Sequence, residues 1–150
     1  MSDRIFVGSD HAGFALKKSL FNLLTKEFPS LEFDDLGCDS EDRADYPDYA
    51  RAVAEKVSAS GGKGLLVCGS GIGMAIAANK VKGVRAANIW DATSARLSRE
   101  HNDSNVMCLG ARLTGPEVAL EACRVWLSTD FQGGRHLKRV ELIRTMEKET

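Results

Sequence analysis

Short apolar runs alternate with segments of helical periodicity from one end of the chain to the other. The runs predict five strands, over residues 5–7, 32–36, 65–68, 85–89 and 106–109. Between and after them, apolar residues recur at helical spacing and predict helices over 14–26, 47–58, 74–80, 91–99, 116–127 and about 135–148. Strands separated this evenly by helices indicate right-handed βαβ crossovers. We therefore expect an α/β, three-layer α-β-α, Rossmann-like fold with a five-stranded parallel sheet.

The length and composition exclude several classes of protein. The 150 residues suit a single domain spanning 1–150, which can bury about 70% of the unfolded surface without a metal or a disulfide. The formal net charge of −1 provides no general attraction to nucleic acid or to an anionic membrane. No apolar stretch approaches the roughly 20 residues that cross a bilayer, and the first residues lack the pattern of a secretory leader. We expect a cytoplasmic protein without nucleic-acid or membrane partners.

The cysteines are widely spaced, with no C-x-x-C pair among Cys38, Cys68, Cys108 and Cys123. This spacing argues against a zinc ribbon or a redox dithiol, and in a reducing compartment we expect free thiols. Three of them, Cys38, Cys108 and Cys123, can be plain core or loop residues. The fourth stands in a more informative position.

A thiol precedes a glycine-rich turn in the segment V-C-G-S-G-I-G at 67–73, between a buried strand and a helix. At the N-terminus of a helix, the macrodipole and the unpaired N–H groups favour a thiolate and lower a cysteine pKa from about 8.5. A pKa lower by one would raise the thiolate fraction at pH 7 from about 3% to about a quarter. Cys68 could then serve as a nucleophile or as a base. The alternative is an inert core cysteine, because free cysteine is often buried.

The residues that follow Cys68 exclude three familiar glycine loops. A P-loop ends in Gly-Lys-Ser/Thr, whereas this chain has Gly73-Met74-Ala75. A dinucleotide fingerprint needs G-x-G-x-x-G, but the glycines here fall at 69, 71 and 73, and a C-x5-R phosphatase loop would have arginine at 74. An anion or oxyanion cradle of backbone N–H groups remains. The groups that would form it belong to Gly69, Ser70, Gly71, Ile72 and Gly73.

Ligands of parallel sheets bind at the carboxyl ends of the strands, where several loops of this chain are expected to converge. The first loop carries Asp10 and His11 between glycines. These two residues can contribute an acid and an imidazole, or they can be a helix-capping aspartate and an exposed histidine. His101 ends the fourth predicted helix, where a histidine can be a favourable cap or an acid/base group.

Basic side chains open the last predicted helix, in the segment G-G-R-H-L-K-R at 133–139. Cations are disfavoured at that end of a helix by about 0.3 to 1 kcal/mol each. Arg135 and Arg139 share a helix face and could hold a dianion, with Arg112 as a third candidate after the last strand. The alternative is a solvated surface.

Five segments, in the same order along nearly the whole chain, resemble type B ribose-5-phosphate isomerases. They are G-S-D-H-A-G-F at 8–14, R-A-D-Y-P at 43–47, C-G-S-G-I-G-M-A-I-A-A-N-K at 68–80, S-R-E-H-N-D at 98–103 and G-G-R-H at 133–136. The resemblance implies an aldose–ketose isomerase of the pentose phosphate pathway. It would interconvert D-ribose 5-phosphate and D-ribulose 5-phosphate through a cis-enediolate, without metal or organic cofactor.

The resemblance also implies roles for the reacting groups. Cys68 would be the base that moves a proton between C1 and C2, and Ser70 and the loop N–H groups would support the enediolate. His101 would open the furanose ring, helped by Asp10 and Tyr46. In one branch of the family, a glutamate just after the last loop glycine is the base, and this chain has methionine there, which matches the cysteine branch.

The remaining roles implied by the resemblance concern binding and assembly. Asn102 would contact the sugar. The phosphate would be held by His11, Arg112, Arg135 and Arg139. A second subunit completes the site in this family, so a homodimer is the minimum assembly, with a tetramer left open.

Two other functions stay open from the sequence. One is the same chemistry on a six-carbon substrate, such as allose 6-phosphate or galactose 6-phosphate, because sequence spacing does not reveal the distance between the thiol and the arginines. The other is a non-catalytic sugar-phosphate binding protein, which would keep the arginines without needing both Cys68 and His101.

Overall fold

The computed structural model describes residues 3–149 and contains a five-stranded sheet flanked by six helices. The strands are β1 (Arg4–Ser9), β2 (Glu32–Asp35), β3 (Lys63–Cys68), β4 (Ala86–Asn88) and β5 (Val106–Gly110). Their spatial order is β2-β1-β3-β5-β4, and all neighbours are parallel. The helices are α1 (Phe14–Glu27), α2 (Tyr46–Ser60), α3 (Ile72–Ala78), α4 (Ala92–Asn102), α5 (Pro116–Ser128) and α6 (Arg135–Lys148). The predicted fold class is confirmed.

Helices cover both faces of the sheet, which is why consecutive residues inside its central strands are apolar, as in Ile5–Val7 of β1 and Leu65–Cys68 of β3. Successive residues of a strand point to opposite faces. Leu65 and Val67 of β3 pack among residues of α1, α4 and α5, whereas Leu66 and Cys68 pack among residues of α2 and α3. The sulfur at the end of β3 therefore emerges on the side of α2 and α3.

Several element boundaries differ from those predicted. Helix α3 begins at Ile72, two residues early, because Gly71 adopts the left-handed conformation (φ 79°) that turns the loop into the helix. Helix α4 begins after its Asp91 cap, as predicted, but continues to Asn102 before Asp103 (φ 48°) ends it. The helix thus runs three residues beyond the predicted bound at residue 99, and His101 lies in its last turn, near the end of the helix as expected.

The first loop packs directly against the end of β3. A Cβ at Gly13 would lie 2.3 Å from the carbonyl oxygen of Val67, so this position leaves no space for a side chain. Asp10 is tied to the same place, because its N–H donates to the Val67 carbonyl at 3.3 Å and its Oδ1 accepts from the Gly13 N–H at 3.0 Å. The placement of Asp10 thus depends on a backbone contact that glycine permits.

Replacing this glycine tests that contact. Gly13→Ala is expected to lower the free energy of unfolding by about 1 to 3 kcal/mol, because the added methyl group must displace the backbone of β3. Urea denaturation measures the change. Ser19→Ala, at an exposed position on α1, is the control and should stay within about 0.5 kcal/mol of the unmodified chain. Equal stability of Gly13→Ala and the unmodified chain would contradict the close approach.

Candidate active site

A cavity of about 520 Å³ opens at the carboxyl edge of the sheet, where parallel sheets bind ligands. Three loops and the first turns of α2 and α3 form it. Its lining residues are Asp10, Tyr46, Cys68, Gly69, Ser70, Ile72, Gly73, Ile76, Arg112 and Leu113. Eight of these ten belong to the predicted site, and the apolar side chains Ile76 and Leu113 were not predicted.

The Cys68 sulfur lies at the floor of this cavity. Its residue is only 4% exposed, yet it contributes to the cavity lining, so a small molecule in the cavity could reach it. The Gly71 N–H donates to Sγ at 3.1 Å and orients the sulfur. The left-handed conformation of Gly71 makes this turn possible, and a Cβ there would lie 2.5 Å from Oδ1 of Asn88.

The glycine loop uses part of its own hydrogen-bonding capacity. Besides the bond from Gly71 to the sulfur, the Ile72 N–H donates to Oγ of Ser70 at 3.2 Å. Two of the five N–H groups predicted to face an anion therefore act inside the loop. The candidate donors to a ligand are the N–H groups of Gly69, Ser70 and Gly73, together with the Ser70 hydroxyl.

Tyr46 and Arg112 border the glycine loop on two sides. The Tyr46 ring lies over Gly73, since a Cβ at that glycine would be 2.5 Å from a ring carbon. The Arg112 guanidinium lies beside Gly69, with one terminal nitrogen 3.2 Å from where a Cβ would be. A phenol and a guanidinium thus share the cavity with the thiol.

Asp10 and His11 follow the end of β1. Asp10 is 6% exposed, lines the cavity and accepts the Gly13 N–H described above. The alternative of a helix-capping aspartate was wrong, because the N-cap of α1 is Gly13 and no side chain caps this helix. His11 is half-buried, and its Nδ1 lies 3.1 Å from the amide nitrogen and 3.2 Å from the carbonyl oxygen of Ala44. The peptide groups of the segment before α2 therefore hold the imidazole.

The other predicted site residues form a second group on α4 and α6. The rings of His101 and His136 stack with centroids 4.3 Å apart, and the Arg135 Nε donates to Nε2 of His136 at 3.5 Å. The pKa of His136 is lowered, first by burial and then by the positive charge of His101, Arg135 and Arg139. Sequence reasoning gave His136 no role, although it belongs to the G-G-R-H segment; the stacking is visible only in three dimensions.

The two groups lie at opposite edges of the sheet. Cys68 ends β3 at the carboxyl edge, whereas His101 and Asn102 end α4 just before β5 begins at Val106, at the amino edge. A strand of this length separates the edges by on the order of 15 Å. One chain therefore brings the thiol, Asp10, Tyr46 and Arg112 together but does not bring His101 to them.

The four cysteines are free, and three of them are buried away from this cavity. Burial, with a smaller effect from nearby Cys68, strongly raises the pKa of the Cys108 thiol. Burial raises the pKa of Cys123 to about 12. Both therefore stay protonated near neutral pH, and Cys68 is the thiol that the structure places beside polar groups in a cavity.

Two further properties concern the described part of the chain. Within residues 3–149, no cluster of three or more His, Cys, Asp or Glu side chains is arranged to hold a metal ion. None of the helices described there is both long and apolar enough to cross a membrane.

Comparison with known proteins identifies the family. Residues 5–143 match the family model described as ribose/galactose isomerase. Ribose-5-phosphate isomerase B of Escherichia coli (strain K12) is 43% identical over 148 residues, covering 97% of each chain. D-erythrulose-4-phosphate isomerase of Pectobacterium atrosepticum is 39% identical over 141 residues, covering 93% of this chain and 91% of that one. The structure of Clostridium thermocellum ribose-5-phosphate isomerase B has a TM-score of 0.94 at 44% identity, covering 97% of this chain and 98% of that one.

The fold and the cavity define an α/β protein with a thiol and a glycine-rich loop at the carboxyl edge of a parallel sheet. The chain belongs to the ribose/galactose isomerase family, and it is an aldose–ketose isomerase.

Alkylation compares the cysteines directly. Iodoacetamide at about pH 8 is expected to modify Cys68 well before Cys108 and Cys123, because the latter two are sealed and their pKa values are raised. Mass spectrometry of peptides gives the rate at each cysteine. In denaturant all three should react at similar rates, which is the control. Equal rates at these three cysteines in the native protein would contradict the assignment of Cys68 as more accessible than Cys108 and Cys123.

Proposed function

We propose that this isomerase interconverts D-ribose 5-phosphate and D-ribulose 5-phosphate through a cis-enediolate. The observation that carries the proposal is the Cys68 sulfur at the floor of a cavity shared with Asp10, Tyr46, Ser70 and Arg112. Enediolate chemistry needs a base, preorganised donors for developing negative charge and an anchor away from the reacting carbons. The cavity offers a residue for each need. The name of the E. coli relative supports the choice of substrate.

The proton transfer runs on the open-chain aldose. The Cys68 thiolate removes the proton from C2, the electrons of that C–H bond form a C1–C2 double bond, and the carbonyl oxygen on C1 takes the negative charge. Return of the proton to C1, with transfer of the C2 hydroxyl proton to O1, yields the ketose. The Ser70 hydroxyl and the loop N–H groups stabilise the negative oxygen, because their dipoles are already oriented before reaction.

A second copy of the chain provides the residue that opens the sugar ring and some of the residues that bind the phosphate. Because His101 lies at the edge of the sheet opposite Cys68, we place the partner's His101 and Asn102 over the cavity of the first subunit. The partner's His101 then moves the protons of ring opening, helped by Asp10 and Tyr46. A homodimer is thus the smallest active unit, and a tetramer would be an assembly of such dimers.

The phosphate is held from both sides of this interface. His11 and Arg112 lie on the subunit that provides Cys68. The partner provides Arg135 and Arg139, which begin α6 beside its His101. Guanidinium groups suit a phosphate dianion because they offer paired donors in one plane. The dianion in turn offsets the repulsion among these cations.

Substrate length is the main alternative within this chemistry. The name of the Pectobacterium relative includes a four-carbon phosphate, and the six-carbon phosphates remain candidates from the sequence. The distance across the interface between the thiol and the arginines selects among them. Assays on four-, five- and six-carbon aldose phosphates would decide, and a clear preference for another length would overturn the ribose assignment.

The location proposed is the cytoplasm. Four free thiols, one of them with a catalytic role, suit a reducing compartment in which disulfides do not persist.

Removing the proposed base separates catalysis from binding. Cys68→Ala is expected to lower kcat by about 100-fold or more, because general base catalysis contributes that much, while sugar-phosphate binding is retained. A coupled isomerase assay measures kcat, and calorimetry measures binding. Cys123→Ala, in the core, is the control and should keep kcat near that of the unmodified chain. Substantial activity in Cys68→Ala would remove the thiol from the mechanism.

Mixing two inactive variants tests the shared site. Cys68→Ala and His101→Ala are each expected to be inactive, but unfolding and refolding them together should restore about a quarter of the unmodified activity. Half of the dimers formed are mixed, and each mixed dimer contains one site with both residues intact. Refolding each variant alone is the control. No recovery from the mixture, with dimers present, would mean that one subunit provides both residues.

A further inference from the structure

The amino group of Lys17 is buried beneath the first loop, and none of the chemistry above uses it. Lys17 belongs to the first turn of α1, and its side chain is 1% exposed. An ammonium group so far from water is stable only with charged or strongly polar partners. Its partners therefore indicate what it holds in place.

Both hydrogen-bond partners lie at the start of the segment that joins β2 to α2, residues 36–45, or just before it. Nζ donates to Oδ1 of Asp35 at 2.8 Å and to the carbonyl oxygen of Cys38 at 2.6 Å. The same Asp35 oxygen accepts from the Gly37 N–H at 2.9 Å. One ammonium and one carboxylate thus fix the first turn of the 36–45 segment. Nζ also lies 5.4 Å from the centre of the Phe14 ring, where a cation is favoured.

The 36–45 segment is also paired with the end of β1. The Ser9 N–H donates to the Gly37 carbonyl at 2.8 Å, and the Cys38 N–H donates to the Ser9 carbonyl at 3.0 Å. Ser9 immediately precedes Asp10. The hydrogen bonds of the ammonium therefore link α1 to the 36–45 segment, which is itself hydrogen-bonded to the end of β1.

The far end of this segment reaches the site. Ala44 holds the His11 imidazole through its peptide groups, and two residues later Tyr46 begins α2 and packs over the glycine loop. The segment has no helix or strand of its own, so side-chain anchors determine its path. By contrast, the Cys68 loop is held by β5, because the Ala111 and Arg112 N–H groups donate to the carbonyls of Cys68 and Gly69.

We propose that Lys17 is a positioning residue for substrate binding, which holds His11 and Tyr46 in place by anchoring the 36–45 segment. This inference rests on the proposed function for the identity of the ligand. Loss of the ammonium would remove the charged donor from the Asp35 carboxylate, which would keep the Gly37 N–H, and the side-chain donor from the Cys38 carbonyl, and the segment would move. The thiol and its loop would keep their geometry.

The test is Lys17→Met, which keeps most of the aliphatic stem and removes the charge. The expected result is an increase in KM of about tenfold, the effect of losing one hydrogen bond to a charged group, with kcat changed less than about threefold. Lys18→Met, exposed on the same helix, is the matched control and should leave both constants unchanged. Active sites are counted as chains whose Cys68 is alkylated while the buried Cys108 and Cys123 are not, so that a loss of folded protein does not enter either constant.

A double-mutant cycle separates positioning from general destabilisation. If Lys17 acts through the 36–45 segment, Lys17→Met should raise KM less in a His11→Asn background than in the unmodified chain. Asp35→Asn, near the surface, provides a second route to the same anchor and should raise KM about threefold, with exposed Asp39→Asn as its control. Asp35→Asn replaces Lys17→Met as the test if Lys17→Met does not fold.

Protection of Cys68 from iodoacetamide by ribose 5-phosphate gives a readout that needs no turnover. Lys17→Met should raise the half-protecting concentration about tenfold and leave the unprotected rate unchanged. If the unmodified chain binds ribose 5-phosphate but does not isomerise it, the proposed function is wrong. A higher half-protecting concentration in Lys17→Met would still support the positioning role of Lys17. Unchanged KM and unchanged protection in Lys17→Met, or in Asp35→Asn if the former does not fold, would overturn the proposal, as would additive effects in the cycle.

Discussion

The site depends on a set of backbone hydrogen bonds that tie the ends of three neighbouring strands together. Asp10, after β1, donates to the carbonyl of Val67 in β3, and Ala111, after β5, donates to the carbonyl of Cys68. These bonds join backbone groups, so they set a common level at which the three loops leave the sheet, and glycine at positions 13 and 110 leaves room for the close approach. The thiol, the carboxylate of Asp10 and the guanidinium of Arg112 meet because of this common level. The backbone hydrogen bonds between the parallel strands thus determine where these reactive side chains meet.

A parallel sheet also explains why one chain does not bring His101 to the cavity that contains Cys68. Each helix that follows a strand runs back to the opposite edge, so a residue at the end of such a helix is removed from the loops at the carboxyl edge. His101 lies in the last turn of α4 and stacks there on His136, which accepts from Arg135, instead of meeting the thiol. The topology therefore produces two groups of polar residues on each chain. In a symmetric pair of chains, the Cys68 group of each chain can meet the His101 group of the other, which gives two sites per dimer. This is the assembly proposed here.

Much of the fold could be predicted from local patterns, whereas the relations across the sheet could not. The alternation of apolar runs and helices predicts the strands and helices, and Asp91 marks the start of α4 by its own hydrogen-bonding capacity. The start of α3 was predicted late because the left-handed conformation of Gly71 is a property of the folded turn. The C-G-S-G-I-G segment predicts the cavity loop, but it does not show that Gly71 and Ile72 direct their N–H groups inward. Lys17 has no signal at all in the sequence, since a lysine in an amphipathic helix is normally a surface residue.

The cations at the start of α6 relate an electrostatic cost in the isolated chain to the proposed function. Arg135, His136 and Arg139 stand where the helix dipole disfavours positive charge. The pKa of His136 is lowered first by burial and then by the neighbouring charges of His101, Arg135 and Arg139. A structure optimised for the stability of the isolated chain would place acidic residues there. Binding of a dianion between these cations and Arg112 of another subunit would reverse the sign of the local field, so the same residues would then favour both the ligand and the dimer. Ligand binding and assembly would be thermodynamically linked through this one cluster, because each stabilises the arrangement that the other needs.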